Sequence, residues 1–190
     1  RRWRRRMIRQ LPNTLTTMRL LSAPVLVAFL LYRKETYAFA VFAFAGFTDI
    51  ADGFLAKRYG LATLVGRYLD PAADKLLMTA AFLALTIVHQ TPVWLTLLVI
   101  GRDVNIVLAI AAARFLELPL RVRPLPIGKL CTAIQVAYVA LVLLLLALGI
   151  KAPRTLELAA LIAAAFTIAS WLAYGALWLK AVAARYRPAG

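Results

Sequence analysis

The sequence predicts an all-α integral membrane protein with six transmembrane helices. Of its 190 residues, 63% are hydrophobic, and the mean hydropathy is +0.80, whereas soluble domains are about 45–50% apolar. Because one membrane-spanning helix needs ~20 apolar residues, a chain of this length accommodates roughly six spans with short loops. The apolar runs interpreted as spans are residues 19–32, 36–56, 70–89, 91–115, 128–150 and 155–179.

The distribution of basic residues predicts the orientation of these spans. Six spans place both termini on one side, and sixteen lysines and arginines fall on that side. The opposite side has only Arg33, Lys34, Lys151 and Arg154. Since cytoplasmic loops are enriched in Lys and Arg, we expect the termini on the cytoplasmic side or its equivalent in an organelle. The net charge of +15 has the same explanation, so no nucleic-acid partner is expected.

Two regions are expected along the chain. Residues 1–18, which open with RRWRRRMIRQ, are interpreted as a basic juxtamembrane segment on the lipid surface. A disordered, solvated tail is the alternative. Residues 19–185 form a single six-helix domain. Between the fourth and fifth spans, residues 118–127 contain three prolines, which predict a loop because proline interrupts a helix.

The aspartates are the most informative polar residues. All five fall within or at the mouths of spans, where a charge is costly and indicates a functional site; they are Asp49, Asp52, Asp70, Asp74 and Asp103. Asp49 and Asp52 are three residues apart, and Asp70 and Asp74 are four residues apart. On a helix, both spacings put the carboxylates of a pair on one face, about one turn apart.

The two aspartate pairs are expected to face each other. The second and third spans are joined by a short connection, Lys57 to Tyr68, so they should be antiparallel neighbours with the pairs at one depth. Four carboxylates in a partly dry site repel one another unless a hard divalent cation such as Mg²⁺ or Mn²⁺ binds them. A metal site is therefore predicted.

Two other interpretations of these carboxylates were considered. They could form helix-end ion pairs with the basic residues nearby, which are Lys57, Arg58, Arg67 and Lys75. They could also form the proton or cation pathway of a transporter. Small residues leave room for a ligand beside the carboxylates and favour the metal site; these are Gly53, Ala56, Gly60 and Gly66.

The segment from Asp49 to Asp74 resembles the signature of the CDP-alcohol phosphotransferase family, D-x2-D-G-x2-A-R-x8-G-x3-D-x3-D. Seven of the eight fixed positions match at the right spacing. The exception is Lys57, where the family usually has arginine. Lysine keeps the positive charge but lacks the two-pronged guanidinium. The segments Gly101–Val104 and Ile127–Gln135 resemble the corresponding segments in the branch of eukaryotic-type cardiolipin synthases. Phosphatidylglycerophosphate synthases are close relatives of that branch.

The resemblance implies a role for each signature residue. Asp49, Asp52 and Asp70 would hold two divalent ions, Mg²⁺ or Mn²⁺, with Asp74 available as a further ligand. Asp74 would also be the general base. The residues that would bind the CDP group are Asp52, Gly53, Ala56, Lys57, Gly66 and Asp70.

Arg102 lies near the middle of the fourth span, where an isolated arginine is not tolerated. One interpretation is an ion pair, with Asp103 or across helices, that fixes packing. The other is that Arg102 binds the phosphate of the acceptor alcohol, with Lys129 at the start of the fifth span as the second cation.

The expected activity is transfer of the phosphatidyl group of CDP-diacylglycerol to phosphatidylglycerol, which gives cardiolipin and CMP. The alternative within the family is phosphatidylglycerophosphate synthesis from glycerol 3-phosphate, and the alternative outside it is an ion-coupled transporter. The expected location is a bacterial inner membrane or a mitochondrial inner membrane, among membrane lipids, with the active site near the cytoplasmic or matrix face. We also expect a homodimer.

Overall fold

All secondary structure that the computed structural model describes is α-helical. The model describes the backbone of residues 18–59, 64–115 and 125–185, and in these ranges all side chains except those of 50–59, 64–72, 114, 181, 184 and 185. The helices are α1 (Met18–Leu31), α2 (Glu35–Tyr59), α3 (Leu64–Ile87), α4 (Val93–Phe115), α5 (Pro126–Ala147) and α6 (Pro153–Arg185). The all-α prediction is confirmed. The basic segment 1–18 lies almost wholly outside the described residues.

The six helices coincide with the six predicted runs, with one consequential difference. Helix α3 begins at Leu64, six residues before the predicted start, and α2 continues to Tyr59. The expected connection from Lys57 to Tyr68 was therefore wrong, and only residues 60–63 separate the helices. Hydropathy locates apolar stretches, but Lys and Arg are good helix formers and extend a helix beyond its apolar part. As a result, every signature residue that the structure describes is helical.

Three helices end in the same way. After α1, the N–H of Lys34 donates to the carbonyl of Phe29 at 2.8 Å, and Arg33 adopts a φ of 56°. After α3, the N–H of Gln90 donates in the same way to the carbonyl of Leu85, and after α5 the N–H of Ile150 donates to the carbonyl of Leu145. The preceding residues, His89 (φ 60°) and Gly149 (φ 67°), have the positive φ of Arg33. This is the Schellman arrangement, which satisfies the last carbonyls of a helix and reverses the chain. It explains why α1, α3 and α5 each lead into a short turn.

Among the described residues, three helices have the length and apolar composition of membrane spans. They are Val93–Ala113, Pro126–Ala147 and Pro153–Lys180. Helix α1 is apolar but shorter, and α2 and α3 contain the signature aspartates and several basic residues. The integral membrane character is thus supported by α4, α5 and α6, and crossing by all six helices stays a prediction.

The chain divides into two compact units. The first contains residues 1–90 and 139–151, and the second contains residues 91–138 and 152–190. Fully buried apolar side chains form the core of the first unit, including Leu26, Leu30 and Phe82. In the second unit, α4 packs against α6, and several fully buried side chains are polar, including Thr167 and Ser170. The polar interior of the second unit needs hydrogen-bond partners.

Buried polar side chains join α5 to α6 in the second unit. The Gln135 amide donates to the Thr167 hydroxyl at 3.0 Å, and this hydroxyl donates to the carbonyl of Ala163 at 2.7 Å. Cys131 is buried beside them, with its sulfur 3.4 Å from the Gln135 amide nitrogen. Since these groups are shielded from water, each needs a partner inside the protein.

We expect Thr167→Val to lower the free energy of unfolding by about 1 kcal/mol, because the Gln135 amide loses its acceptor inside an apolar environment. Gln135→Leu combined with Thr167→Val should recover most of this loss, since the amide donor is then removed together with its acceptor and only the weak thiol donor of Cys131 loses a partner. Thermal unfolding in detergent measures both variants. A double mutant less stable than the sum of the two single mutants would contradict this account of the contact.

Candidate active site

The signature aspartates lie on two consecutive helices in the first unit. Asp49 and Asp52 belong to α2, and Asp70 and Asp74 belong to α3. The side chains of Asp52 and Asp70 are outside the described residues, so the structure does not test the convergence of the four carboxylates. Among the side chains that are described, no group of three or more metal-binding residues occurs. The metal site stays a prediction.

Asp49 forms an ion pair that the sequence did not predict. Its carboxylate accepts from Nη2 of Arg19 at 2.7 Å, and the Arg19 side chain is 2% exposed while that of Asp49 is 53% exposed. Arg19 lies in the first turn of α1, so the ion pair joins α1 to α2. The pair therefore fixes the position of the first carboxylate of the signature while leaving much of it accessible.

Asp74 lies at the edge of the buried face of α3. Its side chain is half-buried, and the preceding Ala73 is 2% exposed. Leu77 and Met78, three and four residues later, are both buried. Because residues at these spacings share a helix face, Asp74 lies where the apolar face of α3 meets the polar end of the helix.

The described signature carboxylates, those of Asp49 and Asp74, have the ligand chemistry that a divalent ion requires. Carboxylate oxygens are the ligands that Mg²⁺ prefers. Asp49 is bonded to Arg19 through one oxygen, Oδ1, and more than half of its side chain is exposed, so it can still bind a cation from the open side. The predicted CDP-binding residues lie in helical segments whose side chains are not described; they include Gly53, Ala56, Lys57 and Gly66. Their roles stay predictions.

Arg102 on α4 is almost fully buried, with 5% exposure. Its Nη1 donates to Oδ1 of Asp103 at 2.6 Å, which is the ion pair that one interpretation of the sequence anticipated. Its Nε and Nη2 both donate to Oγ of Ser170 on α6, at 3.2 and 2.8 Å. The guanidinium carbon also lies 5.8 Å from the centre of the Tyr174 ring, within the range of a cation–π interaction. Arg102 is therefore held by α6 as well as by Asp103.

Lys129, the second predicted cation, is exposed in the first turn of α5. The preceding residue, Gly128, is close to Arg102, because a Cβ atom built on Gly128 would lie 3.4 Å from Nη2 of Arg102. The start of α5 thus approaches the buried guanidinium while Lys129 faces outward. Binding of an acceptor phosphate by Arg102 and Lys129 stays a prediction.

An open groove of about 690 Å³ runs beside α1 and α3 in the first unit. Its lining includes Ala23, Val27 and Leu31 from α1, together with Leu76 and Ala80 from α3. Apart from the phenol of Tyr32, which also lines the groove, no lining side chain offers a hydrogen-bond donor to a phosphate or a ribose. The groove is therefore mainly apolar.

Three residues that contact Asp49 or Arg102 were not assigned a role from the sequence. Arg19 opens the first apolar run, and its partner is 30 positions away in the chain. Ser170 and Tyr174 lie in an apolar run, where isolated polar residues are common. Their spacing of four places them on one face of α6, which was the only available signal.

Comparison with known proteins identifies the family. A sequence profile described as CDP-alcohol phosphatidyltransferase matches residues 9–182. The chain is 36% identical over 146 residues to a cardiolipin synthase (CMP-forming) of Rattus norvegicus, covering 68% of this chain and 48% of the relative. It is also 36% identical over 144 residues to a probable phosphatidylglycerophosphate synthase of Mycobacterium tuberculosis, covering 72% and 67%.

A third relative is a CDP-diacylglycerol–glycerol-3-phosphate 3-phosphatidyltransferase of Pseudomonas fluorescens, 39% identical over 101 residues, which covers 50% of this chain and 51% of that protein. The chain spans about half the length of the cardiolipin synthases from Rattus norvegicus and Homo sapiens that it matches. The similar proteins thus include synthases for two different acceptors.

Proposed function

Because the chain belongs to the CDP-alcohol phosphatidyltransferase family, we propose that it transfers the phosphatidyl group of CDP-diacylglycerol to phosphatidylglycerol, giving cardiolipin and CMP. The observation that carries this proposal is the family signature, which begins at Asp49 on α2 and ends at Asp74 on α3. The similarity to cardiolipin synthases favours phosphatidylglycerol as the acceptor.

In this proposal, Asp49, Asp52 and Asp70 hold two divalent ions, with Asp74 available as a further ligand. Mg²⁺ or Mn²⁺ bound there would neutralise the diphosphate and stabilise CMP as the leaving group. The exposed carboxylate of Asp49, held by Arg19 through one oxygen, supports such a site. The signature carboxylates would then hold the diphosphate through these ions.

Asp74 acts as the general base. It accepts the proton of the acceptor hydroxyl as the hydroxyl oxygen bonds to the β-phosphorus of CDP-diacylglycerol. The bond between that phosphorus and the CMP oxygen breaks, and CMP leaves with the electron pair. The half-buried position of Asp74 at the polar edge of α3 supports this assignment.

The CDP group is bound by signature residues, two of which also hold the ions. Asp52 and Asp70 contribute carboxylates, while Gly53, Ala56 and Gly66 leave space for cytidine and its phosphates. Lys57 supplies positive charge to the diphosphate as a single ammonium group rather than as a bidentate guanidinium.

The acceptor phosphate is bound by Arg102, with Lys129 as the second cation. The contacts of Arg102 with Ser170 and Asp103 engage three of the five N–H groups of its guanidinium. Within the described part of the chain, the others have no protein partner. A phosphate that reaches Arg102 can therefore accept hydrogen bonds without displacing Ser170 or Asp103.

A second candidate function is phosphatidylglycerophosphate synthesis. The similar proteins of Mycobacterium tuberculosis and Pseudomonas fluorescens favour it, since their names specify that product or glycerol 3-phosphate. Both acceptors carry a phosphate, so the assignment of Arg102 and Lys129 holds for either one. The homodimer and the cytoplasmic or matrix position of the active site remain predictions.

Separate assays with each acceptor test the proposal. Labelled CDP-diacylglycerol is incorporated with the purified protein into phosphatidylcholine vesicles containing either phosphatidylglycerol or added glycerol 3-phosphate, and the lipid products are separated. We expect cardiolipin and an equal amount of CMP with phosphatidylglycerol. Phosphatidylglycerophosphate as the main product would support the second function instead, and no product with either acceptor would contradict both.

A further inference from the structure

Two residues on α6 fix the guanidinium of Arg102. Ser170 is fully buried, and its hydroxyl oxygen accepts from both Nε and Nη2. One turn later, the Tyr174 ring lies beside the guanidinium at 5.8 Å. Because Ser170 and Tyr174 are four residues apart on a helix, they contact the guanidinium from the same face of α6.

Gly128 allows α5 to approach this pair. A Cβ atom at Gly128 would lie 2.8 Å from the Tyr174 hydroxyl oxygen and 3.1 Å from its ring carbon Cε2. The Tyr174 hydroxyl also accepts from the backbone N–H of Leu125, just before α5, at 3.3 Å. Any side chain at Gly128 would therefore push Tyr174 away from both Leu125 and Arg102.

We propose that Gly128, Ser170 and Tyr174 are positioning residues, which hold Arg102 in the one orientation that binds the acceptor phosphate. This inference rests on the proposed role of Arg102. A free arginine side chain has many rotamers, and a guanidinium already fixed loses less entropy when it binds a ligand. The three residues therefore affect the affinity for the acceptor and leave the affinity for CDP-diacylglycerol unchanged.

The test uses Gly128→Ala with two companions. Tyr174→Phe removes the hydroxyl oxygen that lies 2.8 Å from the added methyl group but leaves ring carbon Cε2 at 3.1 Å, so the double mutant Gly128→Ala/Tyr174→Phe should recover part of what Gly128→Ala loses. Gly175→Ala is the matched control, because nothing lies within 4 Å of a Cβ atom at that position of α6.

The readout is the apparent KM for each substrate in the CMP-release assay, with phosphatidylglycerol and glycerol 3-phosphate as separate acceptors. Gly128→Ala should raise the KM of the acceptor about tenfold, as expected for loss of one well-placed contact, while the KM of CDP-diacylglycerol changes by less than about twofold. Gly175→Ala should change neither value.

Ser170→Ala is the second variant, and it tests the positioning role if Gly128→Ala does not fold. This variant should also raise the KM of the acceptor substrate selectively, because Nε and Nη2 of Arg102 lose the Ser170 hydroxyl oxygen to which both donate. Arg102→Lys provides the reference, since lysine keeps the charge beside Asp103 but cannot make both bonds to Ser170.

Two outcomes would overturn the inference in distinguishable ways. If Arg102→Lys raises the KM of the acceptor while Gly128→Ala and Ser170→Ala leave it unchanged, or change both KM values equally, the three residues only stabilise the fold. If Arg102→Ala, which also removes the charge, leaves the KM of both acceptors unchanged, the proposed role of Arg102 fails, and the positioning role fails with it.

Discussion

Asp74→Asn is expected to lower the turnover number by roughly 10²–10⁴-fold, the usual contribution of a positioned general base. Asparagine is nearly isosteric with aspartate but cannot accept the proton of the acceptor hydroxyl. Asp74 lies beside the buried side chains Leu77 and Met78, and a neutral amide there adds no charge to the apolar face. Folding should therefore be retained while catalysis is lost.

The effect on substrate binding distinguishes a base from a metal ligand. Isothermal titration with CDP-diacylglycerol in detergent should give nearly the same affinity for Asp74→Asn as for the wild type. Asp52→Asn should lose both metal and CDP-diacylglycerol affinity, because its proposed role is to bind the ion that holds the diphosphate. Equal loss of CDP-diacylglycerol affinity in both variants would make Asp74 chiefly a metal ligand.

Glu157→Gln is a matched control for the same experiment. Glu157 is an exposed acid near the start of α6, outside the signature. Its change to an amide has the same chemistry as Asp74→Asn, so turnover and binding should both stay at wild-type values. A large loss in this control would mean that the assay responds to net charge rather than to the site.

The fold was largely predictable because helical structure in this chain follows local apolar composition. The runs at 91–115 and 128–150 correspond within a few residues to α4 and α5. The start of α3 was not predictable in this way, since Gly66 and Asp70 reduce the hydropathy without ending the helix. Hydropathy reports the preference for lipid and does not locate the backbone hydrogen bonds at a helix end.

The candidate site was predictable only in part. The signature aspartates could be recognised because their spacing is local and specific. The pairing of Arg19 with Asp49 depends on how α1 packs against α2, and no local pattern encodes it. The contacts of Ser170 with Arg102 also join residues far apart in the chain. Tertiary packing therefore determined the partners, whereas the sequence indicated only which residues needed them.

Metal removal is expected to have the largest effect of any single change. In the proposed site, four carboxylates and a diphosphate would place many negative charges close together, and without divalent ions these charges would repel one another. The carboxylates cannot then hold the diphosphate, so CMP release should fall to background. Added Mg²⁺ or Mn²⁺ should restore it, whereas Ca²⁺ need not, because it prefers more ligands at longer distances.

The central claim is that phosphatidyl transfer occurs at a divalent-metal site built on the signature aspartates. The most direct measurement is CMP release from labelled CDP-diacylglycerol, in vesicles with phosphatidylglycerol, by protein stripped with EDTA and then titrated with Mg²⁺ or Mn²⁺. We predict no release in excess EDTA and full recovery on titration of the wild type, with no recovery in Asp52→Asn at the same ion concentration. Full activity of the stripped wild-type protein in excess EDTA would contradict the account.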